Sequence, residues 1–509
     1  MSLGSVLSSL RLVRAGWVLA REGVVAALPG DDLTGMARVA HRVASFLARS
    51  RARTTSRSER LSLALNRLGP SYIKLGQFLG SRPDLVGTDI SRDLESLQDR
   101  VAPFDFEVAK KTIARSLGKT VEEAFITFEP ALAAASIAQV HEAKIETPEG
   151  ERRVAVKVIR PGVRGRFAKD LQTFYFAARL ADRFLPDVRR LKPIGVVDTL
   201  NTTTRIELDL RMEAAALSEL AENTRNDPGS LVPGVDWERS GRDVVTMDWV
   251  DGIKLSDTEG LEAAGIDRKA LAETLIQTFL RHAIRDGFFH ADMHPGNVFS
   301  LPDGSLALID MGIMGRIGLR ERRFLAEILF GFINRNYRRV AEVHFEAGYV
   351  PPHHDVDSFA QAIRAIGEPI HGQSAEGVSM ARLLTLLFEV TDLFDMQTRE
   401  ELFLMQKTMV VVEGGARISD PKFNMRKASE PVVGDWIARN LGPIGDLREG
   451  LAAARTGVSL VKRLPELAER AEKLAREFET QASAPPPAVF TTSTKAALWV
   501  IAASLAALA

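Results

Sequence analysis

The chain has 509 residues, of which 45% are hydrophobic, 26% charged and 7% aromatic, which excludes a largely disordered polypeptide and exceeds one compact core, so a bilobal unit with helical extensions, or roughly two to three domains, is expected. Lys+Arg and Asp+Glu are equal at 66 each, so no overall charge points to nucleic acid. Cysteine is absent, which excludes disulfides, thiolate catalysis and Cys-ligated zinc or iron–sulfur clusters and leaves oxygen and imidazole as the metal ligands available.

Residues 1–60 carry ten Arg against four acidic residues. Leu, Val and Ala interleave there with Arg11, Arg14, Arg21, Arg38, Arg42 and Arg49, as in a pair of basic amphipathic helices, either a solvated face or one that meets an anionic membrane surface. The same Arg-rich, acid-poor composition also fits a mitochondrial transit segment, whereas a secretory signal peptide is excluded by the lack of an apolar run with a cleavage site. Over residues 61–118 the apolar positions Leu61, Leu65, Leu68, Ile73, Leu75, Phe78 and Leu79 predict helices broken at Gly69-Pro70. Lys74 and Gln77, three apart, share a helix face.

Between 119 and 250 short β-like runs appear: Phe125–Pro130, Gln139–Ile145, Val154–Ile159 and Asp243–Trp249. A helical stretch over about 167–224 interrupts them. After Leu255 the pattern is helical to about 480, except at His290–Gly312. A strand-rich half followed by a helical half predicts two unlike lobes with a cleft between them. Gln481–Ala488 (QASAPPPA) reads as a Pro-stiffened linker to an apolar tail, Ala496–Ala509, shorter than the ~20 residues a spanning helix needs and therefore read as an anchor or half-spanning tail, or as a helix packed on the body.

The chemistry concentrates in His290–Gly312, HADMHPGNVFSLPDGSLALIDMG. Asp292 and Asn297 lie five apart in a loop, and Asp310 follows the apolar strand Leu306–Ile309. That order matches H-x-D-x-x-x-x-N and then D-x-G, the catalytic and metal loops of kinase-type phosphotransferases. Mg²⁺ takes hard oxygen donors shared with phosphate, which makes Asn297 and Asp310 the metal candidates. Asp292 is placed to orient or deprotonate the attacking hydroxyl or water. His290 and His294 could also be read as metal ligands, but His290 in this position fits better as a hydrogen-bonded holder of the loop.

Upstream, Val154–Val158 (VAVKV) alternates like a buried strand and carries one cation, Lys157, where a kinase holds the α- and β-phosphates of ATP. A lysine on such a strand needs a carboxylate partner. Glu207, Asp209 and Glu213 in ELDLRME are the candidates, and Glu207 is the first choice. Before that strand, Leu132 is followed by Ala133, Ala134, Ala135, Ser136, Ile137, Ala138, Gln139 and Val140. This run fits the nucleotide-loop template G-x-G-x-x-G-x-V with Ala133, Ala135 and Ala138 in place of glycine, and so predicts a stiffer cover for the nucleotide.

In this order the motifs resemble the UbiB (ABC1, ADCK) family of atypical kinases over roughly residues 60–320. Lys74-Leu75-Gly76-Gln77 is similar to its K-x-G-Q motif, Glu207-Leu208-Asp209 to its E-x-D motif, and Ala133–Gln139 to its alanine-rich loop. The resemblance implies an α+β, protein-kinase-like bilobal fold with an N-terminal helical extension, ATP and Mg²⁺ as cofactors, and a role in ubiquinone biosynthesis at the cytoplasmic face of an inner membrane. Its partners would be biosynthetic enzymes or lipid intermediates. It further implies that the K-x-G-Q helices cover the site, with Lys74, Gln77, Asp209 and Glu213 in regulatory positions, favouring ATP hydrolysis or small-molecule transfer over protein phosphorylation. The absence of an A-P-E segment after Gly312 weakens a protein kinase acting in trans, and a nucleotide-gated scaffold is the non-catalytic alternative. Two features depart from the family: Asp248 stands where glutamate is usual, and one short tail replaces the two terminal membrane helices of many bacterial members. The organisation expected is 1–60 basic helices, 61–118 helical extension, 119–250 first lobe, 251–480 helical second lobe and 481–509 linker and tail.

Overall fold

The computed structural model describes residues 3–27, 42–43, 45–48, 55–80, 82–95, 101–184, 189, 191–372, 390–391, 393–396 and 400–440. Residues 437–509 form a unit separate from 1–436, and the apolar tail lies outside the described residues. The N-terminal extension comprises helices α1 (Leu3–Arg21), α2 (Arg57–Leu68), α3 (Pro70–Gly80), α4 (Thr88–Glu95) and α5 (Phe106–Leu117). The break between α2 and α3 falls at Gly69-Pro70 as the sequence predicts. Gly69 caps α2 with φ +106, a conformation open to glycine, and Pro70 starts α3, where its missing N–H is not needed.

The first lobe is built on an antiparallel sheet, in the order β1-β2-β3-β5, from β1 (Thr127–Ala134), β2 (Ala138–Thr147), β3 (Gly150–Ile159) and β5 (Val244–Asp248). Alternation decides its two faces. Val154, Val156 and Val158 join Ala143, Ile145 and Ile113 in one buried cluster against α5, so Ala155 and Lys157 project from the opposite face. Register places Val140 and Val245 beside Lys157, and Met247 beside Ala155. The alanine-rich run is therefore a strand end, a turn at 135–137 and a second strand start.

The stretch expected as one helical segment over 167–224 is three helices: α6 (Val163–Phe184), α7 (Pro193–Glu207) and α8 (Leu210–Thr224). Asp209 makes the last break, because its side chain accepts from the Arg211 N–H and caps α8. Helix α8 then packs across β5.

The second lobe holds α9 (Arg268–Leu280), which runs into a π-helical turn at Arg281–Asp286, then α10 (Leu319–Ile333), α11 (Tyr337–Glu346), α12 (Val356–Gly372), α13 (Glu400–Ser419) and α14 (Met425–Asn440). Two small sheets frame the chemistry. One pairs β7 (Phe288–His290) with β10 (Met314–Arg316); the other runs in the order β4-β9-β8-β6 through Ser230–Leu231, Leu306–Leu308, Val298–Ser300 and Ile253–Lys254. The loop 291–297 links β7 to β8 and the segment 309–313 links β9 to β10, so both cross between the two sheets.

Candidate active site

Lys157 is the centre of the cleft. Its Nζ lies 2.6 Å from Glu213 Oε1 and 3.2 Å from Asp310 Oδ1, so one buried ammonium links strand β3, helix α8 and the segment after β9. Burial works against the ammonium, but the carboxylates of Asp310 and Glu213 outweigh it and hold Lys157 above its usual range. The same attraction, chiefly from Lys157, draws Asp310 down to about 2. Glu213 moves the other way, pushed up by burial against the pull of Lys157.

Glu207, the first choice of partner for Lys157, is not that partner. It ends α7 and pairs with Lys74 of α3 at 2.8 Å, both side chains nearly buried. Glu213 stands in the first turn of the next helix, which the Asp209 cap starts afresh and which packs across β5. The Lys74–Glu207 pair instead ties the extension to the lobe. Asp209 is committed to Arg211, bonding its Nε at 2.9 Å and Nη2 at 2.7 Å, while the half-buried side chain of Gln77 makes no hydrogen bond among the described residues.

The loop from His290 to Asn297 is set by its own polar atoms. His290 Nδ1 accepts from the Asp292 N–H at 2.9 Å, which places the ring proton on Nε2; burial pushes this imidazole below its ordinary range, opposed by Asp292 and Asp310. His290 is thereby a loop holder, as its position suggested. His294 Nδ1 accepts from the Gly296 N–H at 3.1 Å. Asn297 donates from Nδ2 to the Asp292 carbonyl at 3.2 Å, leaving its Oδ1 available as a hard donor. Asp310 Oδ1 also accepts from the Gly312 N–H at 3.1 Å, yet the side chain is 44% exposed. An amide oxygen and an accessible carboxylate of this kind fit Mg²⁺, and Asn297 and Asp310 are the residues that would hold it. The metal, when bound, would neutralise charge on the transferring phosphoryl group.

The alanine-rich turn is pinned from outside the cleft. Arg160 donates its N–H to the Ile137 carbonyl at 2.7 Å and its Nη2 to the carbonyls of Ala102 and Ala135. Leu132 and Ala133 are exposed, whereas Ser136, Ile137 and Ala138 are buried. Gln139, grouped by sequence with the nucleotide contacts, spends its amide elsewhere. Its Oε1 accepts from the Phe104 N–H at 2.9 Å and its Nε2 lies 2.9 Å from His141 Nε2. The stiffness expected of the alanines is thus reinforced by residues 101–104 of the extension.

Sequence reasoning missed one residue that supports the loop and one buried histidine in the helix before it. Thr408 of α13 donates to the Ala291 carbonyl at 2.9 Å and so reaches that loop from a helix more than a hundred residues later. His282, in the π-helical turn, is fully buried with neither ring nitrogen bonded and is pushed down to about 3 by burial. Neither carries a local motif. The π-turn that presents His282 interrupts an otherwise ordinary helical pattern.

A lysine on a sheet strand, its helix-borne glutamate, an H-x-D-x-x-x-x-N loop and a D-x-G segment assembled between a β-rich and a helical lobe define a protein-kinase-like site. The ABC1 atypical kinase-like domain matches residues 96–344, and the UbiB helical domain matches residues 363–424. A protein of Marinobacter nauticus named probable protein kinase UbiB is 38% identical over 440 residues, covering 86% of this chain and 80% of its own. One of the same name from Aeromonas hydrophila is 40% identical over 438 residues, covering 85% and 80%. The solved structure of Rv3197 with erythromycin, from Mycobacterium tuberculosis, is similar at 25% identity with a TM-score of 0.52, covering 74% of this chain and 95% of that one. The chain belongs to the UbiB family of ABC1 atypical kinase-like proteins.

Proposed function

We propose that this protein hydrolyses ATP, or transfers its γ-phosphoryl group to a small acceptor, with Mg²⁺, in support of ubiquinone biosynthesis at the cytoplasmic face of an inner membrane. The observation that carries the enzymatic part is the Lys157 ammonium shared between Glu213 and Asp310. It fixes strand β3, helix α8 and the metal-binding segment in one arrangement, as phosphoryl transfer requires of its lysine–glutamate pair. In this reading Lys157 grips the α- and β-phosphates, Asn297 and Asp310 hold Mg²⁺, and Asp292 orients the attacking oxygen. The exposed strand end Leu132–Ala133 and the turn after it cover the nucleotide.

The quinone role follows the name borne by the relatives, and the membrane role rests on α1. That helix packs through Ser8 and Ala15, where Arg11 donates to the Lys169 carbonyl at 3.0 Å, and exposes Leu7, Leu10, Val13 and Trp17 on its other side beside Arg14 and Arg21. Arginines flanking an exposed apolar stripe suit an anionic lipid surface. Among the described residues no helix is long and apolar enough to cross a membrane; the mode proposed is surface binding through the exposed face of α1. Phosphate release from Mg·ATP, measured with and without anionic vesicles, tests both parts. A Leu10→Glu/Trp17→Glu variant that keeps basal release and loses its lipid response supports the membrane face. An unchanged lipid response removes it.

A further inference from the structure

Outside the cleft, three potential metal ligands converge on the surface of the helical domain. His353 and His354 follow Pro351-Pro352 just before α12, and Asp395 lies in a turn 41 residues beyond His354. Both Nε2 atoms face the same oxygen, Asp395 Oδ2, at 3.7 Å from His353 and 3.3 Å from His354. One ligand atom from each residue falls within 4.8 Å of the others. Adjacent side chains ordinarily diverge, yet these two rings lie 4.2 Å apart.

The arrangement is held from beneath. His354 packs on Phe394 with ring centroids 5.2 Å apart, and Phe394 sits in the core cluster of α11 and α12 against Phe359 at 4.9 Å. The His354 N–H bonds the Pro351 carbonyl at 3.2 Å, and two prolines restrict the approach to the pair. Asp395 takes φ +47, a left-handed conformation uncommon for a residue with a side chain, directly after the anchored Phe394. The neighbouring Asp355 is already used, accepting from the Ser358 N–H and Oγ, so it does not compete for the position.

We infer that His353, His354 and Asp395 form a site for a borderline divalent cation of the zinc type, distinct from the nucleotide's Mg²⁺. Tetrahedral coordination with bonds of about 2.0–2.1 Å places ligand atoms about 3.3 Å apart, close to the two separations found here. Two imidazoles and one carboxylate select zinc-like ions over Mg²⁺, whose preferred donors are oxygens. His353 and Asp395 are exposed, which leaves an open fourth position for water and a path of entry. The bound ion joins the Pro351–His354 segment to the turn at Asp395, closing a long loop within the helical domain.

The test uses the full chain without a polyhistidine tag, with excess Mg·ATP filling the cleft, and Co²⁺ as the spectroscopic probe. A visible d–d spectrum saturating at one Co²⁺ per chain and displaced by Zn²⁺ is expected. An Asp310→Asn variant, altered only in the cleft, should keep it. His353→Ala/His354→Ala should weaken binding by more than the roughly 10–100-fold that changes around a metal's ligands cost, since it removes ligands themselves. Asp395→Asn, a milder change at an exposed residue, provides the same test should the double variant fold poorly. Absence of a spectrum in the native chain, its survival in the His and Asp395 variants, or its loss with Asp310→Asn would each overturn the assignment.

Discussion

Which carboxylate holds Lys157 is open to direct measurement. In the structure Glu213 lies 2.6 Å away with a side chain 6% exposed, and Lys157 is 13% exposed. Breaking such a buried pair by removing one partner typically costs about 3–5 kcal/mol. Glu213→Gln should fall short of that, at about 2 kcal/mol, because Asp310 remains 3.2 Å from the ammonium and glutamine still offers an acceptor. For a unit the size of Met1–Trp436 that is a fall in Tm of only about 2 °C. Glu207→Gln breaks a different buried pair, with Lys74, so single-variant stability alone does not separate the two. A double-mutant cycle in urea does. Lys157→Met combined with Glu213→Gln should show a coupling of about 1–3 kcal/mol, whereas Lys157→Met with Glu207→Gln should be additive within about 0.5 kcal/mol. Strong coupling to Glu207 and additivity with Glu213 would refute the pairing.

The folded-state pKa of Asp310 is depressed to about 2, below the roughly 3.9 of an unfolded aspartate. Its stabilising contribution is therefore complete above about pH 4 and lost as pH falls toward 2, and a urea-midpoint series should show this acid loss reduced in Asp310→Asn. His282 is held neutral down to about pH 3, so below its ordinary value of about 6.5 the unfolded chain takes up the proton first and stability falls with pH. His282→Leu should flatten the decline between pH 6.5 and 5 by up to about 1.4 kcal/mol per pH unit; equal slopes would contradict the burial argument. Gly315 is required by crowding, since a Cβ there would lie 2.2 Å from Cζ of the buried Phe289 ring. Gly315→Ala should cost about 1–3 kcal/mol by thermal melting, and an unchanged Tm would show that the β7–β10 pair yields freely. Lys74→Met removes the partner of Glu207 and should raise hydrogen exchange in α3 while leaving the exchange of β3 unaltered.

The parts of the site legible in sequence are those whose chemistry is local. VAVKV announces a buried strand with one cation, and H-x-D-x-x-x-x-N followed by D-x-G fixes the order of the loop residues. The partner of Lys157 was not legible because Glu207 and Glu213 sit in one polar run, and the choice turns on where Asp209 ends one helix and caps the next. A side-chain cap three-quarters of the way through a helical pattern changes which helix crosses the sheet. Gln139 lay inside a nucleotide-loop template, but its amide is taken by the backbone of Phe104, a contact between segments 35 residues apart. Thr408 is further still from the loop it supports. Long-range contacts of this kind leave no periodic trace.

In the function proposed, this cleft turns over Mg·ATP and does so in response to a membrane surface. Phosphate release by the purified full chain, with and without anionic vesicles and beside Asp310→Asn, measures it most directly. Release that rises with lipid and vanishes in Asp310→Asn is the predicted result. Release that persists at the native rate in Asp310→Asn, or ATP binding with no release under any lipid condition, would contradict it.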